Sequence, residues 1–255
     1  MIPQVTLGHT GIRVSRLAIG TGTNGWSGHS NQTRLGFDRL VDLLCYAYDR
    51  GITFWDLADQ YGSHPHAAAA LRRIGREKVV ITTKTTSRTP AEIHQDLDRF
   101  RKELDTDTLD IVLLHCLTDP EWVGNLGSVM EAMSKAKDRG ILRAVGVSCH
   151  NFGAFQAAAA CDWVEVVLAR INHAGLSMDA PPPEVIPVLE QMHRRGKGVY
   201  GMKVMGCGKL GDDPARAMQF ALNLSCLDAI VIGMEDEGQI DRNLDLLRQF
   251  EPVAA

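Results

Sequence analysis

The order of apolar segments along the chain constrains the fold more than any other feature. Over 255 residues, short apolar runs alternate about eight times with helix-like stretches, a pattern typical of a parallel sheet joined by crossover helices. Several runs are continuous in Val and Ile, as expected for strands buried on both faces. We predict strands at residues 17–19, 53–56, 79–83, 111–114, 144–147, 164–170, 198–202 and 229–232.

Glycines and N-cap residues indicate where the intervening helices begin and end. Gly51, Gly140 and Gly196 each follow a helix-like stretch, where a C-terminal glycine is common. Thr89 and Asp213 each precede a proline, as an N-cap before the first helical position does. A short hairpin around residues 9–11 precedes the first barrel strand. We therefore predict one domain, residues 1–255, with an α/β fold: a (β/α)8 TIM barrel, usually ~250 residues long, whose N-terminal β-hairpin closes the floor.

The composition argues against several classes of partner. A net charge of -4 and a pI near 6.1 argue against a nucleic-acid partner, which would favour a basic surface. There is also no run of about 18 apolar residues to suggest a membrane partner. No secretory signal pattern is visible at the N-terminus. The six cysteines show no C-x-x-C pair, so we expect reduced thiols and a cytoplasmic location.

The only dense histidine group is His64 and His66, on either side of Pro65. A structural zinc site needs closely paired ligands. We therefore expect a solvated loop at this position and no metal site.

Polar side chains lie at or just after the ends of three consecutive predicted strands. Asp56 ends one strand and Tyr61 follows it by five residues, while Lys84 and His115 end the next two. In a barrel of parallel strands these ends meet at one mouth, which is where barrel enzymes place their chemistry. We therefore predict that the four residues form a catalytic site.

This order of residues resembles the aldo-keto reductase family, whose Asp, Tyr, Lys and His tetrad occupies these strand ends. The resemblance extends over nearly the whole chain, through the segments at residues 7–11, 20–22, 146–148, 201–210 and 232–243. It implies hydride transfer between a nicotinamide cofactor and a small carbonyl or alcohol substrate, such as an aldehyde, a ketone or a sugar-like molecule.

The chemistry of the tetrad fits carbonyl reduction. A phenol with a pKa of ~10 is a weak acid at neutral pH, and Lys84 beside Tyr61 is expected to lower that pKa. Asp56 would keep Lys84 charged and oriented. His115 would donate a hydrogen bond to the carbonyl oxygen and stabilise the developing oxyanion.

The resemblance also implies a site for NADP or NAD, although no Gly-x-Gly-x-x-Gly fingerprint follows the first strand. Ser148 and Asn172 resemble the family residues that hold the nicotinamide carboxamide. The other expected contacts are Gly20 and Thr21 in the first loop, Lys203, Gly206 and Gly208 along the pyrophosphate, and Gln239 and Asn243 at the adenosine end.

The preference between the two cofactors is a separate expectation. Family members usually bind the phosphorylated cofactor through basic or hydroxyl side chains just after the last strand, where this chain has Glu235, Asp236 and Glu237. Carboxylates would repel a 2′-phosphate, and Glu235 would suit free ribose hydroxyls. Because Arg242 and Lys209 are basic alternatives, we expect weaker discrimination against the unphosphorylated cofactor than is usual in the family.

Two other functions are compatible with the residues. Cys149 next to His150 suggests a thiol nucleophile, although neighbours on a strand point to opposite faces. A sensor that binds the cofactor with little turnover is the second alternative. Substrate specificity is expected to come from two long loops, residues 20–33 with Trp26 and His29, and residues 117–127 with Trp122.

Overall fold

Eight parallel strands close into a barrel in the computed structural model, which describes residues 2–250. β3 and β10 pair in register from Leu17 with Ile230 to Gly20 with Gly233, which completes the closure. This confirms the predicted (β/α)8 TIM barrel. The barrel strands are β3 (Leu17–Gly20), β4 (Phe54–Asp56), β5 (Val80–Thr85), β6 (Leu109–Leu117), β7 (Leu142–Cys149), β8 (Val166–Arg170), β9 (Gly198–Met202) and β10 (Ala229–Gly233).

Helices occupy the outside of the barrel and follow the strands in turn. Two predicted starts are confirmed: the Thr89 side chain accepts from the backbone of Glu92 in a capping box, and Asp213 accepts from the backbone of Arg216 at 3.1 Å. Both caps satisfy amides that a helix leaves open at its first turn. The helices are α1 (Phe37–Asp49), α2 (His64–Ile74), α3 (Pro90–Leu104), α4 (Trp122–Asn125), α5 (Gly127–Asp138), α6 (Phe152–Ala160), α7 (Pro182–Arg194), α8 (Pro214–Leu222) and α9 (Glu237–Phe250).

The N-terminal hairpin covers the end of the barrel where the strands begin. β1 (Gln4–Thr6) pairs antiparallel with β2 (Arg13–Ser15), and the intervening turn lies against the start of β9. Gly8 has a positive φ of 47°, and a Cβ there would come 2.4 Å from the backbone of Gly198. Only glycine allows this close approach, and the predicted floor is confirmed.

Apolar side chains fill the barrel interior below the mouth. Leu7, Ile12 and Val14 of the hairpin region pack with Phe54 and Tyr200, among other residues that point inward from the strands. A second and larger apolar layer lies between the strands and the helices. Because the interior is packed and the floor is covered, open space for chemistry remains only at the carboxyl ends of the strands.

The prediction of a solvated loop at His64 was wrong. His64 begins α2 and is 2% exposed, with Nδ1 2.7 Å from Glu103 and Nε2 2.7 Å from the Thr83 hydroxyl. The Ser63-His64-Pro65 sequence starts a helix whose first turn packs onto the barrel. Among residues 2–250, no group of three or more His, Cys, Asp or Glu side chains is arranged to hold a metal ion, and no helix is long and apolar enough to span a membrane.

Candidate active site

Three strand ends and one turn bring the predicted catalytic side chains to the same mouth of the barrel. Asp56 ends β4, Lys84 is the next-to-last residue of β5, and His115 lies near the end of β6. Tyr61 closes the short 3₁₀ turn Asp59–Tyr61 after β4. Parallel pairing aligns Asp56 with Thr82 and Lys84 with Leu113, so the barrel register sets the relative heights of these residues.

Asp56 and Lys84 form a buried ion pair. The Nζ of Lys84 donates to Oδ1 of Asp56 at 2.6 Å and to the carbonyl oxygen of Leu57 at 2.7 Å. The second carboxylate oxygen of Asp56 accepts from the Tyr200 hydroxyl at 2.8 Å. The sequence analysis missed Tyr200, which sits within an apolar strand and carries no sequence signal apart from its phenol.

Tyr61 lies directly above this pair. The Nζ of Lys84 is 4.9 Å from the centroid of the Tyr61 ring, a cation–π distance, and the Tyr61 hydroxyl is 3.5 Å from Nε2 of His115. On its other side the ring packs on two glycines, since a Cβ at Gly22 would come 2.3 Å, and one at Gly25 2.5 Å, from Tyr61 ring carbons. These two glycines, whose steric role was not predicted, make room for the ring.

The structure corrects the expected pKa of Tyr61. Burial and the negative charge of Asp56 raise the pKa of this phenol well above its usual ~10. The Lys84 ammonium lies 4.9 Å from the centroid of the ring and is paired with Asp56, and the net effect of burial and of Asp56 on the phenol pKa is the opposite of the lowering that the sequence had suggested. Tyr61 is therefore a protonated phenol throughout the neutral pH range, the form that a general acid needs.

His115 is buried and uncharged. Burial, with the nearby charge of Lys84, lowers the pKa of His115 to about 2. Its Nδ1 is buried with no hydrogen-bond partner among the described residues. An unprotonated Nδ1 avoids leaving a donor unpaired, so we assign the neutral tautomer with the proton on Nε2, which points towards Tyr61.

A cavity of about 510 Å³ extends from Tyr61 to the last helix. Its lining includes Asp56 and Tyr61 from the mouth of the barrel and Leu246 from α9. Five predicted cofactor residues line it: Gly20, Lys203, Gly208, Gln239 and Asn243.

Four other predicted cofactor residues are engaged within the protein and do not line the cavity. The Thr21 hydroxyl bonds to the Asp56 carbonyl and to Ser63, and Ser148 accepts from a backbone amide at 3.1 Å. The Asn172 side chain donates to two carbonyl oxygens and accepts from two amides in the loop after β8. Gly206 is buried in the turn after β9.

The carboxylates after β10 have three different environments. Glu235 lines the cavity and accepts from the Asn31 side chain at 2.9 Å. Asp236 caps the start of α9 through the Gln239 amide. Glu237 points outward to Arg39 at 3.0 Å. Only one of the three carboxylates therefore faces the cavity, where Arg242 is also found.

The residues of the two long loops have different positions. Trp26 is 52% exposed, with its ring 6.4 Å from that of His115, and the exposed His29 pairs with the backbone of the same loop. Trp122 is not a pocket residue as we had expected, because it is buried and donates to the Ala154 carbonyl at 3.1 Å. It belongs to the packing between α4 and α6.

The environment of Cys149 does not suit a nucleophile. The side chain is 2% exposed, and burial raises its pKa far above the usual thiol value. His150 pairs instead with the sulfur of Cys116 at 3.6 Å. Because the thiolate is the reactive form, the thiol alternative finds no support.

The fold and the four converging side chains define a (β/α)8 barrel with a polar site at its mouth, and comparison with known proteins identifies its family. A model described as "Aldo/keto reductase family" matches residues 16–217. The chain belongs to the aldo/keto reductase family, whose members are in general NAD(P)-dependent oxidoreductases of carbonyl compounds.

Similar proteins of known name support this assignment. The aldo-keto reductase YhdN of Bacillus subtilis is 29% identical over 160 residues, 56% of this chain and 46% of that protein. The 6-dehydroglucose reductase of Novosphingobium aromaticivorans is 26% identical over 245 residues, 88% of this chain and 74% of that protein. The chain thus spans less than half of the Bacillus protein and about three quarters of the other.

Solved structures share the fold. The holo form of an aldo-keto reductase from Bacillus halodurans superposes with a TM-score of 0.79 at 18% identity, covering 100% of this chain and 93% of that one. A thermostable aldo-keto reductase in complex with the inhibitor epalrestat gives a TM-score of 0.76 at 21% identity, with 96% and 94% covered. At these identities the likeness concerns the fold alone.

Proposed function

We propose that this protein reduces a small aldehyde, ketone or sugar-like carbonyl compound with NADPH or NADH, with Tyr61 as the general acid. The observation that carries the proposal is the meeting of a protonated phenol with the Nε2 of a neutral histidine, 3.5 Å apart, beside the long cavity. The name of the Novosphingobium relative, a 6-dehydroglucose reductase, supports a sugar-like carbonyl substrate.

The residues along the cavity fit a dinucleotide. Lys203 lines it without forming an ion pair to any described residue, and so offers its charge to a pyrophosphate. Gly20 and Gly208 allow close backbone approach, while Gln239 and Asn243 would contact the adenosine end from α9. Ser148 and Asn172 would hold the carboxamide only if their present internal hydrogen bonds were exchanged for bonds to it.

A bound reduced nicotinamide supplies the hydride that adds to the carbonyl carbon. Tyr61 gives its phenolic proton to the carbonyl oxygen, and the Nε2–H of His115 donates a hydrogen bond that orients this oxygen and stabilises negative charge on it. The phenolate left on Tyr61 is stabilised by the ammonium of Lys84, 4.9 Å from the ring. Asp56 keeps that ammonium in place.

The test is reduction of a panel of aldehydes, quinones and keto-sugars by the wild type and by Tyr61→Phe. Because the variant loses only the proton donor, turnover should fall ~100- to 10,000-fold, with cofactor affinity nearly unchanged. Cys149→Ala should retain activity and serves as the matched control. Near wild-type turnover by Tyr61→Phe would contradict the proposal, and tight cofactor binding without turnover of any substrate would favour a sensor.

The same chemistry suggests where the protein acts. All six cysteines are free, which suits a reducing compartment. We therefore infer a cytoplasmic protein. The net charge of -4 favours a small-molecule substrate over a nucleic-acid partner.

A further inference from the structure

The mouth of the barrel around His115 and Cys116 is rich in positive charge. Lys84, Arg88 and Lys203 all lie close enough to His115 for their positive charges to lower its pKa. The charge of Arg170 acts in the same direction on the pKa of Cys116. Two of these four cations have carboxylate partners: Lys84 pairs with Asp56, and Arg170 pairs with Asp179. The mouth therefore retains a positive excess.

Of the two remaining cations, Lys203 lines the cavity proposed for the cofactor. Arg88 is separate from that cavity and lies in the loop between β5 and α3. Its guanidinium donates to the carbonyl oxygen of His115 at 2.5 Å and to that of Ser87 at 2.9 Å. Arg88 is thus a cation that contacts the backbone of His115 and does not line the cofactor cavity.

No carboxylate within residues 2–250 forms an ion pair with Arg88. The nearest acidic residue in sequence, Glu92, is used in the capping box of α3, where it accepts from the backbone amides of Arg88 and Thr89 and from the Thr89 hydroxyl. The two hydrogen bonds of the guanidinium use two of its five N–H donors. A half-buried guanidinium with spare donors and no counterion is suited to an external anion.

Two further rings lie close to His115, whose backbone carbonyl oxygen Arg88 contacts. Trp26 is half exposed above His115 and offers an apolar surface beside the mouth. The ring of His150 lies 6.5 Å from that of His115, and burial lowers the pKa of His150 to about 4, so it is uncharged near neutral pH. Neither residue competes with Arg88 for an anion.

We propose that the substrate of this protein is a carbonyl compound that also carries an anionic group, a carboxylate or a phosphate, and that Arg88 binds that group while the carbonyl oxygen lies between Tyr61 and His115. The proposal rests on the proposed reductase function. Arg88 acts in it as a specificity residue, since the planar guanidinium matches both anions in a bidentate geometry.

The experiment compares charged substrates with matched neutral ones: 4-carboxybenzaldehyde with its methyl ester, and glyceraldehyde 3-phosphate with glyceraldehyde. In the wild type, kcat/KM for the anion that fits should exceed that for its neutral partner about 10- to 100-fold, the range of one charge-assisted hydrogen bond. The pair that shows the preference distinguishes carboxylate from phosphate.

Arg88→Gln should bring this ratio close to one, mainly by raising KM for the charged substrate, and Arg88→Lys should restore part of it. Arg72→Gln is the matched control, because Arg72 is an exposed arginine on α2 paired with Asp105, and it should leave the ratio at the wild-type value. If Arg88 only stabilises the end of β6, Arg88→Gln will lower kcat/KM for the charged and the neutral substrate equally. The ratio would then be unchanged, which would overturn the proposal.

A binding measurement separates this proposal from the reductase function. Binding of 4-(hydroxymethyl)benzoate and of glycerol 3-phosphate is followed by quenching of tryptophan fluorescence. The dissociation constant of the anion that fits should be at least about tenfold lower in the wild type than in Arg88→Gln. That result without turnover of any aldehyde would support the anion site and reject the reductase. Turnover of neutral and charged aldehydes without preference would reject the anion site alone, and absence of both effects would reject both.

Discussion

Lys84 and Asp56 share a 2.6 Å ion pair inside the barrel, where the lysine side chain is fully buried. The pair connects the ends of β4 and β5, and it places the ammonium against the ring of Tyr61. Because the attraction between the two groups offsets the cost of removing both from water, each depends on the other for a stable place in the interior.

Asp56→Asn should destabilise the fold by about 3–5 kcal/mol, because it leaves Lys84 buried without a counterion. Adding Lys84→Met to this variant should recover part of that loss, since the uncompensated charge is then removed. Urea denaturation of the two single variants and the double variant measures the coupling. Glu131→Gln, which breaks an exposed pair with Lys135 on α5, is the control and should unfold like the wild type; purely additive effects at positions 56 and 84 would contradict the prediction.

Carbonyl reduction should be independent of pH over the neutral range. The reaction needs Tyr61 protonated, His115 neutral and Lys84 charged. Burial lowers the pKa of Lys84 from its usual value, and the charge of Asp56 opposes this shift. The pKa of Tyr61 is raised, so the acid is lost only at a pH above the usual phenol value of ~10, and the pKa of His115 is lowered to about 2, so its ring charges only in strong acid. We expect kcat to be constant from about pH 5 to about pH 9. A fall in kcat between pH 7 and pH 9 would contradict this prediction and would indicate that Tyr61 or Lys84 loses its proton in that range.

Gly22→Ala should reduce turnover while leaving the fold intact. The new methyl group would lie 2.3 Å from a ring carbon of Tyr61, so the phenol must move, and a displacement of about 1 Å at a reacting group can cost ~100-fold in rate. Steady-state kinetics and thermal unfolding measure the two effects. Gly124→Ala is the matched control, because a Cβ there meets nothing within 4 Å; equal activity of both variants would show that the ring position is not important.

The preference for NADPH over NADH should be less than about a hundredfold, ~2.7 kcal/mol. Glu235 faces the cavity and would accept from free ribose hydroxyls, whereas Arg242 in the same lining would attract a 2′-phosphate. Fluorescence titration of both reduced cofactors measures the ratio. Arg242→Ala should lower the preference for NADPH, and Glu235→Gln should raise it. A preference above about a hundredfold in the wild type, or a ratio unaffected by both variants, would mean that neither residue contacts this part of the cofactor.

Residue order and spacing, together with the family resemblance they support, were sufficient to predict the barrel, its floor hairpin and the positions of the tetrad at the strand ends. The reason is physical, since a parallel sheet buried on both faces requires continuous apolar strands, and its carboxyl ends must all point to one side. Local signals also predicted the caps at Thr89 and Asp213, because capping depends on residues only three positions away.

Only the tertiary structure decided how each side chain is used. His64 and Trp122, which the sequence placed in solvated or pocket-lining loops, are buried, because the barrel wall and α6 supply hydrogen-bond partners that are distant in sequence. The raised pKa of Tyr61 follows from its burial beside Asp56, and the unpaired charge of Arg88 follows from the use of Glu92 in a helix cap. Burial and the choice among competing partners are properties of the packed chain, and no periodicity or spacing in the sequence encodes them.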